Sequence, residues 1–215
     1  MPTARHTQEP VAHKDLKDAC VDAAREAIAA HGVEQLSLRD VARRLGVSHQ
    51  APYRHYPSRD HLLAEVMRRC FEHFATHLDA RTRSDDPNAE LESLGRQYLS
   101  FALAHPLEYR LMFGTPWPQA AEHPELQRDA THAFDILRHA LARVHGVDLP
   151  HGLVDQDAMF IWSTMHGLAG LLGGSCMPHL EISEDDQQGI PQHVLSMVGM
   201  ALRGREVTTK AIQKE

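Results

Sequence analysis

The chain has 215 residues, 42% of them apolar, and a formal net charge of −7 at neutral pH. That is enough chain for one large or two small domains with a sizeable core. No apolar run approaches the roughly 20 residues that span a bilayer, and the opening MPTARHTQEPVAHKD lacks the apolar centre of a secretory signal, so no membrane partner and a cytoplasmic location are expected.

Residues 1–13 are polar, contain Pro2 and Pro10, and are expected to form a flexible tail. The first helix is predicted from about Lys14 to Ala30. Leu16, Cys20, Ala23, Ala27 and Ile28 make its buried stripe, and Gly32 lies just past its end. The next stretch, Ser37 to Tyr56, reads SLRDVARRLGVSHQAPYRHY. Ser37 is placed to cap a second helix, and Asp40 follows three residues later, a capping box with Asp in place of Glu. Leu38, Val41, Ala42 and Leu45 recur at helical spacing. Gly46 falls where a helix end must turn left-handed at little cost. Ser48 is placed to cap a third helix that runs to about Tyr56, where Pro57 stops it. Two helices joined by a short turn, with the small Ala42 at their crossing, form a helix-turn-helix, the geometry that lays a short helix in the major groove of DNA. A plain helical hairpin is the alternative. The surrounding charge argues against it: seven arginines (39, 43, 44, 54, 59, 68 and 69) stand against Asp40, Asp60 and Glu65 between Ser37 and Arg69, a local +4 on a chain that totals −7. A small basic head on an acidic body suits a nucleic-acid partner.

A fourth helix is predicted from Ser58 to about Arg81, with Leu63, Val66, Met67, Cys70, Phe74 and Leu78 on its apolar side. RTRSDDPN, from Arg81 to Asn88, is a turn. A fifth helix follows from about Ala89 to Ala104, and His105-Pro106 breaks it. PLEYRLMF makes a sixth, ended by Gly114, and Thr115-Pro116-Trp117-Pro118 is a rigid loop. A seventh is expected from Glu125 to His145, then a loop from Gly146 to Gly152 containing Pro150. An apolar eighth helix runs from Asp155 to about Leu172, a loop from Gly173 to about Asp186, and a ninth helix from about Ile190 to Arg203. No stretch alternates as a strand would, so the fold class is all-α with about nine helices. Cys20, Cys70 and Cys176 lack metal-type spacing and are expected to be reduced and mostly buried.

The N-terminal quarter resembles the TetR family of bacterial transcriptional regulators. The match begins in Lys14–His31 and runs through Gly32-Val33, Ser37-Leu38-Arg39-Asp40-Val41-Ala42 and Gly46-Val47-Ser48. It continues through Pro52-Tyr53-Arg54-His55-Tyr56-Pro57-Ser58-Arg59 to Leu62-Leu63. WSTMHG, from Trp162 to Gly167, and the earlier HPLEYRLMF resemble the Trp-His-Gly type of C-terminal domain found in some members. The resemblance implies a DNA-binding domain over 14–75, a ligand-binding and dimerisation domain over 76–204 and a flexible tail over 205–215. It implies that the first helix braces the reading unit and that the fourth couples the two domains. The implied partners are double-stranded operator DNA, a small-molecule effector of unknown identity and a second copy of the chain.

In the reading unit, Ser37 and Ser48 are expected to cap their helices and touch phosphate. His49, Gln50 and Ala51 face base edges, with Gln50 suited to adenine; Ala51 and Pro52 suit a thymine methyl. Tyr53 and His55 are expected on backbone phosphates, with Arg39, Arg44 and Arg59 supplying charge nearby. Arg54 is open to an intramolecular pair instead, and Tyr56 to a core position. A pocket for a hydrophobic or aromatic ligand is expected among Phe71, Phe101, Tyr109, Met112, Phe113, Trp117, Phe134, Trp162, Met165 and His166, although most such side chains are more often plain core. His166 is open to a ligand contact or to a hydrogen bond within the helices. The last two helices are apolar around much of their circumference, which suits a two-fold homodimer through Gly167, Gly170, Leu171, Val194, Met197, Val198 and Ala201, the alternative being a buried helical hairpin inside one subunit. Gly199 is a further shallow spot.

His73 and His77 stand four apart on the fourth helix and His132 and His139 seven apart on the seventh. With no third ligand in view, both pairs read as solvated or structural, and no metal or other cofactor is expected. There is no nucleophile elbow and no phosphate loop, so catalysis is not expected. The function expected is allosteric repression: a dimer holds a near-palindromic operator and a small ligand releases it, nucleoid-bound when on DNA. The alternatives are an all-α ligand-binding protein whose helix-turn-helix is incidental, and a histidine-based metal sensor.

Overall fold

The computed structural model describes residues 13–146 and 151–212. The expected flexible tail, except its last residue, lies outside them, as do 147–150 of the expected loop around Pro150 and 213–215 of the C-terminal tail. The described residues form eight α-helices and no strand: α1 (His13–His31), α2 (Leu38–Leu45), α3 (Arg59–Asp79), α4 (Pro87–Ala104), α5 (Pro106–Phe113), α6 (Pro124–His145), α7 (His151–Gly173) and α8 (Glu184–Ile212). None of them is long and apolar enough to cross a membrane.

The count is eight because Ser48 to Tyr56 is wound as tight turns rather than as an α-helix. A single 3-10 turn covers Pro52–Arg54. Pro52 has no N–H to give to Ser48 four residues back. The segment closes with bonds three and four residues long: Ala51 N–H to Ser48 O (3.0 Å), His55 N–H to Pro52 O (3.0 Å) and Tyr56 N–H to Pro52 O (2.9 Å).

The chain divides into two compact units: Met1–Arg69 with Thr115–Leu126, and Cys70–Gly114 with Gln127–Glu215. In the first, α1 packs on α2 and on the 3-10 turn at Pro52–Arg54. Cys20, Val21, Ala24 and Ile28 of α1 and Val41 and Ala42 of α2 are buried, as are Leu62, Val66 and Met67 of α3. In the second, α4 is the helix the others gather on, touching α5, α7 and α8. Gly95 allows the approach of α8, since a Cβ there would lie 2.4 Å from Leu195 Cδ2. A buried ion cluster staples this unit's edge. Glu90, 2% exposed, takes Arg81 Nε at 3.2 Å, Arg83 at 3.2 Å and Arg143.

Several boundaries differ from expectation for local reasons. α4 starts at Pro87, with Asp86 accepting the Asn88 N–H at 2.9 Å as its cap and proline in the first turn, where its missing donor is not needed. α8 starts at Glu184, well before Ile190. Ser183 Oγ accepts the Asp186 N–H (3.1 Å) and donates to the Asp186 carboxylate (2.6 Å). Pro191 is then carried inside the helix, and α8 continues past Arg203 to Ile212. Of the cysteines, Cys20 and Cys70 are buried, in line with mostly buried thiols, and Cys176 is exposed in the turn that follows α7.

Candidate nucleic-acid interface and effector site

The reading unit is built by two local devices. Ser37, in extended geometry at φ −144° and ψ 142°, accepts the Asp40 N–H at 3.1 Å and starts α2. At the other end Gly46 sits at φ 66° and ψ 25°. Its N–H reaches Arg43 O (3.2 Å) and the Val47 N–H reaches Ala42 O (3.1 Å), a Schellman closure. These bonds set the direction in which the chain leaves α2. Tyr56 anchors the far end: it is buried, and its hydroxyl donates to Lys17 O of α1 at 3.2 Å. Burial pushes its phenol well above the ordinary value.

Between these anchors, Ser48, His49, Gln50, Tyr53 and Arg54 are exposed on one short run, and Ala51 and His55 are half-buried. Pro52 is buried. Ser37 and Arg39 are exposed beside the run. Arg44 is exposed but donates from Nε to Asp40 at 2.9 Å, and Arg43 donates to the same carboxylate. The bonds from Arg44 and then Arg43 hold the Asp40 carboxyl down to about 2. Arg59 is half-buried and donates to Val33 O (2.7 Å), Leu36 O (3.2 Å) and Asp60 (3.0 Å). Its guanidinium stitches the loop before α2 to the start of α3.

The second unit holds most of the residues expected at an effector site. Phe71, Phe101, Met112 and Met165 are buried, as core side chains are. Tyr109, Phe113, Phe134, Trp162 and His166 are only half-buried and form one run of rings. Ring centroids are 5.9 Å apart for Phe134–Trp162, 5.8 Å for Phe113–Trp162, 5.6 Å for Phe113–His166 and 5.5 Å for the stacked Tyr109–His166 pair. Trp117 belongs to the first unit and is exposed. Of the two roles left open to His166, the structure shows the hydrogen bond between helices: its Nδ1 lies 2.6 Å from the Tyr109 hydroxyl, which in turn lies 2.7 Å from that of Tyr98. Burial pushes the Tyr109 phenol up to about 12, so it stays protonated at neutral pH and available as a donor. Tyr98, placed inward by the period of α4, has no sequence signal for its role, because its partner His166 is 68 residues away.

The interface residues expected on the last two helices divide by exposure. Gly167, Gly170, Leu171, Met197 and Ala201 are exposed, Val194 is half-buried, and Val198 is buried within its own unit. Met159, Phe160 and Met200 extend this exposed apolar set, each 45–49% exposed.

A capped helix, a left-handed turn and an exposed polar run after it, together with an all-helical second unit, define the class of helix-turn-helix regulators. Residues 21–66 match the profile of bacterial regulatory proteins of the tetR family, and residues 91–187 that of the tetracyclin repressor-like C-terminal domain. Together the two cover well over half of the chain, which belongs to the TetR family. The HTH-type transcriptional regulator Rv1816 of Mycobacterium tuberculosis (strain ATCC 25618 / H37Rv) is 30% identical over 119 residues, 54% of this chain and 51% of that protein. The chain thus matches about half the length of this curated relative. Among solved structures, the regulatory protein SCO4313 is 24% identical with a TM-score of 0.71, over 89% of this chain and 98% of that one. A transcriptional regulator of Rhodococcus sp. RHA1 is 27% identical with a TM-score of 0.63, over 87% and 96%. FadR of Bacillus subtilis, solved in complex with stearoyl-CoA, shares the fold at 14% identity and a TM-score of 0.63, over 84% and 96%.

Proposed function

We propose that this chain is a cytoplasmic, homodimeric transcriptional repressor that holds a near-palindromic operator and leaves it when a small hydrophobic or aromatic molecule binds the second unit. One observation carries the reading: the exposed run Ser48–Arg54, held at a set angle by the Schellman closure at Gly46 and the buried anchor at Tyr56. Its side chains are phosphate donors and base-edge readers. Gln50 reads a base, Tyr53 bonds a phosphate, and Arg39 adds charge beside them.

The half-buried rings of Phe113, Phe134 and Trp162 beside the Tyr109–His166 pair support a ligand with an aromatic or acyl body and one polar group. The exposed apolar face of α7 and α8 supports pairing with a second copy. α3 contributes residues to both units, so a ligand-favoured shift of α3 is the route by which the second unit alters the reading head. A coupling of about 1–3 kcal/mol changes operator affinity by about five- to 150-fold.

Selection from random duplex DNA at fixed, moderate salt tests the reading. A two-fold-symmetric motif is expected. In titrations against it, Gln50→Ala should lose discrimination at one base pair, worth about 1–3 kcal/mol. Tyr53→Phe should weaken all sequences alike, by about 0.5–1.5 kcal/mol. Failure of any motif to emerge from ligand-free protein, with binding that ignores salt, would sink the reading, because phosphate contacts must release counterions.

A further inference from the structure

His73 has a partner set that differs from the one its spacing advertised. Its neighbour in the sequence pattern is His77, but in space its Nδ1 lies 2.9 Å from Oε2 of Glu108. His105 closes the group, with its ring centroid 4.7 Å from that of His73. One ligating atom from each of His73, His105 and Glu108 lies within 4.8 Å of the other two. All three belong to the second unit.

The backbone fixes two of the three. His105 ends α4 and begins α5 at once. Its N–H donates to Phe101 O (2.8 Å) and its carbonyl accepts from the Tyr109 N–H (2.9 Å), because Pro106 starts a new helix immediately after it. Glu108 sits in the first turn of α5 and is 6% exposed. His73 approaches from α3 with 45% of its side chain open to solvent. His77, one turn further along α3, is packed edge-on to the same His105 ring at 6.2 Å. Its buried Nε2 has no hydrogen-bond partner among the described residues.

We propose that His73, His105 and Glu108 form a binding site for a first-row divalent transition metal of the zinc type. Two imidazoles and one carboxylate are the donor set of such ions and not of magnesium or calcium, which take all-oxygen shells. Tetrahedral bonds of about 2.0–2.1 Å put neighbouring ligand atoms about 3.4 Å apart. The 2.9 Å His73–Glu108 distance and the 4.8 Å limit of the cluster bracket that value, so small side-chain rotations complete the triangle. The open side of His73 leaves the fourth position to water, and the His77 ring packs against the His105 ring from one turn further along α3. The site goes beyond the regulator reading and does not depend on it.

The test is a cobalt titration of the full chain, freed of any affinity tag, stripped with a chelator and dialysed. Cobalt in a four-coordinate site gives intense visible bands, and added zinc abolishes them by competition. One cobalt per chain is expected. His73→Gln and Glu108→Gln should each weaken it by at least about tenfold, and the double variant with His105→Ala should abolish the bands. His132→Ala, at an exposed position of α6, should bind as the parent does. His73 is exposed enough for its variant to keep the fold, which circular dichroism checks. Absence of a saturable cobalt signal in the parent overturns the proposal, and so does a signal of undiminished affinity in His73→Gln and Glu108→Gln. The His73–Glu108 contact would then be a plain ion pair.

Discussion

Replacing Gly46 by alanine isolates the turn on which the reading unit hangs. Gly46 is left-handed, at φ 66° and ψ 25°, and a Cβ built there meets no atom within 4 Å. Crowding by neighbours therefore adds nothing, and the cost is the local backbone penalty of about 1–2 kcal/mol. In a chain of this size each kcal/mol lowers the unfolding midpoint by about 2–4 °C, so a drop of about 2–8 °C is expected. Gly46→Asn should fall less, since asparagine tolerates the left-handed region better than alanine. Gly189 provides the internal contrast. It lies within α8, is exposed, and also has nothing within 4 Å of a built Cβ. The same alanine there should stabilise by about 0.5–1 kcal/mol, because glycine inside a helix is the costly residue. Thermal unfolding followed by circular dichroism reads all three variants. A Gly46→Ala midpoint at or above the parent's, or an asparagine loss as large as alanine's, would show that the left-handed turn is not what holds the segment.

Three further outcomes follow from buried and exposed positions in the second unit. Burial pushes the Glu90 carboxyl up, but the hydrogen bonds and charges of Arg143 and Arg81 outweigh it and hold the group below its ordinary value. Its contribution is therefore complete above the unfolded value of about 4.3 and is lost as the pH falls from there through the folded value. Melting midpoints measured from pH 6 downward should decline more shallowly in Glu90→Gln than in the parent, and Arg81→Met at neutral pH should cost about 1.5–3 kcal/mol, since one charge-assisted hydrogen bond is lost while Arg83 and Arg143 still reach Glu90; equal acid slopes would refute the first and an unchanged midpoint the second. Gly170 is exposed on α7 with open space where a Cβ would stand, so Gly170→Arg should leave the protomer's own packing intact yet weaken dimerisation more than about tenfold in sedimentation equilibrium, since an unpaired charge buried at an interface costs several kcal/mol; a variant as dimeric as the parent would remove this face from the interface.

How much was legible in the residues depended on the range of the interaction. Ser37, Asp40 and Gly46 could be read because each acts within four residues of itself, and the structure places cap and turn where they were expected. Ser183 and Asp186 repeat the pattern of Ser37 and Asp40, yet the apolar period alone predicts a start near Ile190. The side-chain bonds of Ser183 to Asp186 start the helix at Glu184 instead and carry Pro191 inside it. Ser48 to Tyr56 failed in the opposite direction. Ser48 reads as a cap, but the turn at Pro52–Arg54 has no side-chain cap bond, and Pro52 lacks the N–H that would continue an α-helix back to Ser48. The non-local features left no mark. Glu108 is 35 residues from His73, and nothing in the period of α3 or α5 announces that they meet. The same holds for Gly95, whose partner Leu195 lies on another helix.

The local charge of +4 between Ser37 and Arg69 takes a different meaning once the arginines are placed. Arg43 and Arg44 share Asp40. Arg59 is tied to Asp60 and to two carbonyls. Arg68 and Arg69 both pair with Glu65, and Arg69 also reaches Asp18. Among the described residues, Arg39 and Arg54 are the exposed arginines of this stretch without an ion pair. A phosphate must compete with Asp40 for Arg44, and with backbone carbonyls for Arg59, whereas it meets Arg39 and Arg54 unopposed. Arg54 thus has the stronger claim to a phosphate than to an intramolecular pair, and Arg59 the stronger claim to a structural role. The basic head is smaller than its composition suggests. On the proposed reading, selectivity then rests less on net charge than on Gln50, which the turn at Gly46 presents beside the proposed phosphate donors Ser48 and Tyr53.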